Sequence, residues 1–240
     1  MAHITYDTFF NGRLRVAQPG SGYRYSLDTI LLAALPRPKP GQTLLDLGAG
    51  CGIIPLILAY RHVEVRITGV EVQPELAQLA DMNVSNNGMQ DRIRIIHEDL
   101  RRLSLEMVNG PVDWIVSNPP YRRAASGRVN PNSQRALARH EININLQQLI
   151  NTTRRLLRTG GRFITIYPSE RTVDMLSEMR SVGLEPKWLQ SVHSQAGDPA
   201  KLVLVQAVLG GKAGLRIEAP LVIYGPDGQY SGAVQEMMNP

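Results

Sequence analysis

An amide, two prolines and an aromatic ring stand together at Asn118-Pro119-Pro120-Tyr121, directly after the apolar run Val112 to Val116. Such a run reads as a buried strand with Trp114 packed on one face, and the prolines end its ladder because neither ring nitrogen donates a hydrogen bond. Asn118 is then held at a rigid corner, with Tyr121 projecting just beyond it. The chemistry that suits this corner is chemistry on a planar exocyclic amine, for example that of adenine. The lone pair of such an amine is delocalised into its ring, which makes it a poor nucleophile. The Asn118 oxygen and the Pro119 carbonyl would accept its N–H bonds, favouring the pyramidal amine and the positive charge that grows on it during attack. The Tyr121 ring offers a flat acceptor something to stack on. An ordinary strand-ending turn uses the same letters, since Asn-Pro commonly starts turns.

A second set of residues would hold a second ligand beside that corner. The strand Thr43 to Leu47 closes on Gly48-Ala49-Gly50-Cys51-Gly52, and a helix follows from Ile53 to Tyr60. Glycines at alternate positions let the backbone pass close to a ligand and turn tightly into the helix. A Gly-rich turn alone is weak, because dinucleotide enzymes use similar loops. Here Asp46 stands where an incoming pyrophosphate would be repelled, and the spacing lacks the third glycine of the dinucleotide fingerprint. Glu71 ends the next strand, Arg66 to Val70, about 20 residues beyond the turn, where a carboxylate accepts both hydroxyls of a ribose. Asp99 follows the strand Ile93 to Ile96 and is placed to accept from an adenine amino group, with a neighbouring backbone N–H donating to the ring. Each acid alone is commonly a solvated strand-end residue. Three at the ends of three successive strands form a pattern.

Strands alternating with amphipathic helices predict an α/β fold. Further helices are read over Pro74 to Asn86, Leu146 to Leu157 (stopped by Gly160-Gly161) and Arg171 to Val182. Further strands are read over Arg162 to Tyr167, Lys187 to Val192 and Lys201 to Leu209. The expected core is a seven-stranded, mostly parallel sheet with helices on both faces and an antiparallel last strand. Residues 1–40 are expected to form a hairpin, turning at Asn11-Gly12, and a lid segment. In that segment Ser26 caps a short helix with Asp28 in its first turn, and Pro36, Pro38 and Pro40 end it. An anion or an amino-acid carboxylate would suit this helix start, and so would simple packing on the sheet edge. Residues 41–210 form the main domain and 211–240 a tail, which carries a strand-like piece at Leu221 to Tyr224.

Composition narrows the class. Hydrophobic residues make up 43% and charged residues 20% of the 240, ordinary globular values. One cysteine, Cys51, excludes an internal disulfide and fits a reducing compartment. The start shows no signal peptide and no apolar stretch is long enough to span a bilayer, so the chain reads as soluble and cytoplasmic, with no membrane partner. A net charge of +5 suggests an anionic partner. Arg122, Arg123, Arg128, Arg135 and Arg139 follow Tyr121, with no acid before Glu141. They read either as phosphate-binding residues beside a base pocket or as a solvated loop. His140 is a tempting base there, but a lone His near a loop is more often structural.

Taken together, Asp46-Leu47-Gly48-Ala49-Gly50-Cys51-Gly52, Glu71, Asp99 and Asn118-Pro119-Pro120-Tyr121 resemble the class I methyltransferases that use S-adenosylmethionine, with the Rossmann-like methyltransferase sheet that they share. More narrowly, three features resemble the bacterial tRNA adenine-N6 methyltransferases that modify the anticodon loop of a valine tRNA. They are Tyr23-Arg24-Tyr25-Ser26-Leu27-Asp28-Thr29, the Arg-rich stretch after the tetrapeptide, and Pro220-Leu221-Val222-Ile223-Tyr224. The resemblance covers about residues 20 to 210. It implies S-adenosylmethionine as cofactor, RNA (a tRNA in particular) as substrate and no metal. It further implies that Asp46, Gly48, Ala49, Gly50 and Gly52 shape the methionine pocket, that Glu71 with Val72 holds the ribose, and that Asp99 with Leu100 reads the adenine. Tyr25, Ser26 and Asp28 would cover the methionine end. Asn118, Pro119, Pro120 and Tyr121 would hold the target base and carry the reaction, with Asn118 also lining the cofactor site. Arg122, Arg123 and Arg128 would contact the substrate. The competing readings are N5-methylation of a protein glutamine, whose enzymes carry a helical domain ahead of this core, methylation of ribosomal RNA guanine or DNA adenine, a nicotinamide oxidoreductase, and a nucleotide-binding module without chemistry. Oligomeric state is not legible.

Overall fold

The computed structural model describes residues 4–20, 26–119 and 146–238. Its element order follows the sequence closely. A hairpin of β1 (Ile4–Phe9) and β2 (Leu14–Pro19) leads to α1 (Leu27–Ala33), and then β3 (Thr43–Leu47), α2 (Ile53–Arg61), β4 (Arg66–Glu71), α3 (Pro74–Asn86) and β5 (Ile93–His97) alternate. A 3₁₀ turn at Leu100–Arg102 precedes β6 (Val112–Ser117). The second half holds α4 (Leu146–Leu156), β7 (Leu157–Pro168), α5 (Thr172–Ser181), β8 (Leu184–His193) and β9 (Leu202–Leu209). Short strands β10 (Arg216–Ile217) and β11 (Leu221–Val222) and the helix α6 (Gly232–Met238) complete it.

The main sheet runs β10-β8-β9-β7-β6-β3-β4-β5, with β11 also on β8. Every pairing is parallel except those of β9, which lies antiparallel between β7 and β8. The seven expected strands, the last of them antiparallel, are therefore present. Two details differ from the sequence reading. The sheet has nine strands, because β10 and β11 extend the β8 edge. And Gly160-Gly161 does not separate helix from strand: β7 begins at Leu157, paired to Val112, and the register with β6 shifts before Trp114. A glycine pair inside a strand marks such an irregularity as readily as it marks a helix stop.

Strand alternation sends side chains into two cores, one on each face of the sheet. Leu44, Trp114 and Val116 join α1, α2, α3 and α6 in one, while Leu45, Leu47 and Ile115 join α4 and α5 in the other. Asp46, aligned with Gly69 of β4 and Val116 of β6, sits in the middle of this wall with no exposed surface. Among the described residues no helix is long and apolar enough to cross a membrane.

The β1–β2 hairpin is not part of the main sheet but is sewn to it by two asparagines four residues apart, Asn83 in α3 and Asn87 at its C-cap. Asn83 is fully buried: its Oδ1 accepts the Ala17 N–H (2.7 Å), and its Nδ2 donates to the Ala17 carbonyl and to the Cys51 carbonyl (2.8 Å each). Asn87 repeats the pattern on the Arg15 N–H and carbonyl (3.0 and 2.8 Å). The helix thereby satisfies the free edge of β2 at alternate residues, as a neighbouring strand would. Asn83 also ties that edge to the glycine turn after β3. Replacing Asn83 by Ala leaves buried N–H and C=O groups without partners, so Asn83→Ala is expected to lower unfolding free energy by about 2–4 kcal/mol in urea titration. Asn87→Ala, at a half-buried position, should cost about 1 kcal/mol or less; equal losses would contradict the buried-clamp account.

Candidate active site

The chain runs outward from β3 to β4 to β5, then returns to place β6 on the other side of β3. Adjacent strands β3 and β6 therefore send their following helices to opposite faces, the arrangement that opens a ligand crevice at the carboxyl edge of an α/β sheet. Asp46, Glu71 and Asp99 lie in order along that edge on the β3, β4 and β5 side, and Asn118 and Pro119 lie on the β6 side.

The glycine turn is folded against β4. The N–H groups of Gly48 and Ala49 both donate to the Val70 carbonyl (2.9 Å each), and Gly52 donates to the Ala49 carbonyl (2.9 Å). Gly52 starts α2 at a left-handed φ of 84°, with Ala80 so close that an added Cβ would stand 3.1 Å from its side chain. Gly69, inside β4, is needed for the same closeness: a Cβ there would meet Ile95 at 2.9 Å and Ala49 at 3.1 Å. A glycine interrupting a strand pattern was the available signal for it.

Glu71 is 5% exposed and its two oxygens accept backbone N–H groups, Oε2 from Gly50 (2.8 Å) and Oε1 from Gln73 (2.9 Å). The carboxylate is thus fixed in orientation, and each oxygen keeps a further lone pair for a hydroxyl. Burial pushes its pKa up, opposed by the N–H groups of Gln73, Gly50 and Val72. Asp46 is a harder case. Both of its oxygens are buried without a hydrogen-bond partner, and burial pushes its pKa well above the carboxylate range, with neighbouring Glu71 adding to the effect. An orphaned acid in a dry sheet demands an explanation, and a cationic ligand held in the crevice supplies one. A ribose-bearing cation such as S-adenosylmethionine fits this pair of carboxylates and the glycine turn between them.

At the third strand end, Asp99 caps the 3₁₀ turn by accepting the Arg101 N–H (2.9 Å), and its carboxylate pairs side-on with the Arg101 guanidinium (Nε to Oδ2, 2.8 Å). That guanidinium, more exposed than its partner, holds the Asp99 carboxyl below its ordinary range. Leu100 is buried beneath α4, and its carbonyl accepts from Thr152 and Arg155 (3.3 and 3.2 Å). Val72 is partly exposed at the edge, its carbonyl facing His97 (3.1 Å). Ser26 precedes α1 as expected, but its side chain does not cap the helix. It bonds the Asp28 carboxylate instead, while burial pushes the Asp28 pKa up.

The β6 corner is pinned by buried hydroxyls. Ser117 Oγ donates to the Leu47 carbonyl (2.7 Å), locking the ends of β6 and β3 together, and Thr165 Oγ1 of β7 donates to the Ser117 carbonyl (2.9 Å). Next in the chain, Asn118 Nδ2 donates to Thr29 Oγ1 of α1 (3.1 Å). Ser117, Thr165 and Thr29 are each 3% exposed or less. Sequence reasoning passed over Thr165 and named Thr29 only as the end of the Tyr23 to Thr29 segment, without a role for its hydroxyl. Tyr25, Pro120, Tyr121, Arg122, Arg123, Arg128 and His140 lie outside the described residues. Among the described residues no group of His, Cys, Asp and Glu side chains could hold a metal ion.

A doubly wound sheet with paired carboxylates across a glycine turn and an Asn-Pro corner beyond defines the class I methyltransferase architecture. Residues 26–182 match the family described as the methyltransferase small domain. A tRNA1(Val) (adenine(37)-N6)-methyltransferase of Porphyromonas gingivalis is 37% identical over 175 residues, spanning 70% of this chain and 68% of that one. A tRNA1(Val) (adenine(37)-N6)-methyltransferase of Aeromonas hydrophila is 30% identical over 214 residues, 89% of this chain and 87% of its own. The crystal structure of a predicted O-methyltransferase from Agrobacterium tumefaciens superposes with a TM-score of 0.69 at 22% identity, covering 88% of this chain and 94% of that one, a likeness of fold. The chain belongs to the methyltransferase small-domain family, alongside these adenine-N6 methyltransferase relatives.

The pKa shifts have a consequence for stability. Asp46 and Glu71 bind protons more tightly folded than unfolded, so the stability they contribute is complete below the unfolded pKa, about 4, and is lost as pH rises through their raised values. Asp46→Asn should flatten that decline and raise the melting temperature of the ligand-free protein at neutral and alkaline pH. Melting temperatures measured against pH for both proteins check this; parallel profiles would sink it.

Proposed function

We propose that the protein transfers a methyl group from S-adenosylmethionine to the N6 amine of an adenine in tRNA, at position 37 of tRNA1(Val), as the names of its relatives state for them. The observation that carries the reading is the seam between β3 and β6: an ion-ready crevice lined by Asp46 and Glu71 is fastened, through the Ser117–Leu47 bond, to a corner bearing Asn118 and Pro119. Bound in that crevice, S-adenosylmethionine supplies a methyl group already activated by its sulfonium. The task left to the chain is to hold, orient and dry the two partners, and position contributes much of the rate in such a reaction.

In this reading Glu71, with Val72 beside it, holds the ribose. Asp46 and the turn Gly48, Ala49, Gly50 and Gly52 enclose the methionine end, closed over by Tyr25, Ser26 and Asp28. Asp99 and Leu100 read the adenine of the donor, and for Asp99 this means exchanging its Arg101 partner for an amino group. Asn118 accepts one N–H of the target amine and the Pro119 carbonyl the other, drawing the lone pair out of conjugation. No strong general base is required, because the amine loses its proton after its pKa has collapsed. Pro120 and Tyr121 complete the base pocket, and Arg122, Arg123 and Arg128 bind phosphate. Residues 1–40 act as hairpin and lid, 41–210 as the transfer domain and 211–240 as a tail on its edge.

The experiment is labelled donor incubated with unmodified tRNA1(Val), followed by nucleoside analysis. N6-methyladenosine is the expected product. Label that enters only a protein glutamine, or a guanine, would overturn the reading. Asn118→Ala should leave donor affinity within about twofold while lowering turnover at least 1,000-fold, as loss of a transition-state acceptor does. Arg122→Ala with Arg123→Ala should weaken RNA binding and reduce the slope of its salt dependence by about 2.

A further inference from the structure

Resting on that reading, we infer that Thr29 is a positioning residue for the reaction: its hydroxyl fixes the Asn118 amide so that the oxygen, not the nitrogen, is turned to the amine acceptor. An Asn side chain is nearly symmetric in shape and opposite in chemistry at its two ends. Turned one way it accepts from an amine; turned the other way it presents N–H bonds to N–H bonds and repels it. The strand end alone cannot choose between these, because a half-turn of the amide changes its volume very little. Thr29 makes the choice. Its Oγ1 lies 3.1 Å from Asn118 Nδ2, it is 3% exposed, and its own N–H is bound to the Ser26 carbonyl (3.1 Å), so the hydroxyl comes from a fixed point.

The surroundings keep both partners still. Leu31, Leu32 and Ala33, the rest of the α1 turn that carries Thr29, have no exposed surface and pack in the core shared with Val116. The residue before Asn118 is held by two further hydroxyl bonds, to Leu47 and from Thr165. The 89 residues between Thr29 and Asn118 in the chain hid the relation, yet it joins the lid segment directly to the transfer corner. The lid would accordingly do more than cover the donor.

Thr29→Val keeps the branched shape and removes the acceptor. It is expected to lower kcat about tenfold, the effect of one buried hydrogen bond, with KM for tRNA1(Val) and donor affinity by calorimetry within about twofold. Thr29→Ser, which retains the hydroxyl, should recover most of the rate. In the Asn118→Ala background, Thr29→Val should cost nothing more, because both changes act through one group. A readout independent of turnover is the side-chain amide proton pair of Asn118 in a ¹⁵N-resolved spectrum, assigned by its loss in Asn118→Ala. Thr29→Val should shift that pair and Thr29→Ser should not. An active wild type whose Thr29→Val variant retains full rate overturns the inference. So does a Thr29→Val variant that loses donor affinity and melting temperature together and is not rescued by Ser. A wild type inactive on every RNA with the amide pair still shifted by Thr29→Val would instead remove the proposed substrate and leave the contact standing.

Discussion

The structure depends on one seam. Strands β3 and β6 are neighbours in a parallel sheet, but the chain leaves the first toward α2 and the second toward the layer of α4, so neither helix layer closes the gap above them. Such a gap would widen or collapse if the two strand ends moved independently. Ser117 prevents this with a hydroxyl bond across the seam to Leu47, and Thr165 holds Ser117 in turn from β7. Polar groups buried this deeply favour one arrangement strongly, because any other leaves a donor or acceptor dry. The crevice is therefore a fixed distance from the corner that carries Asn118.

Fixing the crevice comes with a cost that the sheet itself does not offset. Asp46 has two oxygens sealed from water with nothing to accept, and Glu71 next to it compounds the difficulty. Such a residue either shifts its pKa and stays neutral or is completed by another molecule. Burial, with Glu71 adding to it, pushes the Asp46 pKa well above the carboxylate range, so the crevice alone disfavours the ionised form.

Much of the architecture was legible because it rests on local pattern. The period of the apolar residues gave the strands and helices, and the three acids do stand at the ends of successive strands along the carboxyl edge. Legibility failed where the deciding contact was long-range. Gly160 and Gly161 read as a helix stop, but the pairing of Leu157 with Val112 draws β7 back to the very end of α4. Ser26 read as a cap, but the nearby Asp28 carboxylate competes for its hydroxyl. Asn83 and Thr165 carry no local pattern, and Thr29 closes the Tyr23 to Thr29 segment without its role being marked there. Each is a polar residue at a position whose neighbours are apolar, and only its partner 66, 48 or 89 residues away gives it meaning.

If Asn118 is the amine acceptor, as we propose, an amide rather than a carboxylate at 118 gives α1 a reason to reach the corner. A carboxylate would accept from an amine in either rotamer and would need no orienting contact. It would also place a negative charge beside a crevice that already holds Asp46 and Glu71, and like charges favour protonation of the carboxyl groups, which turns an acceptor oxygen into a donor. The amide avoids the charge but introduces a choice between two faces, and the wrong face repels the substrate. In the proposed reading a second group settles that choice. Such a group must be neutral, buried and borne on an element other than the strand it steadies, and a threonine on the first helix meets each of those requirements.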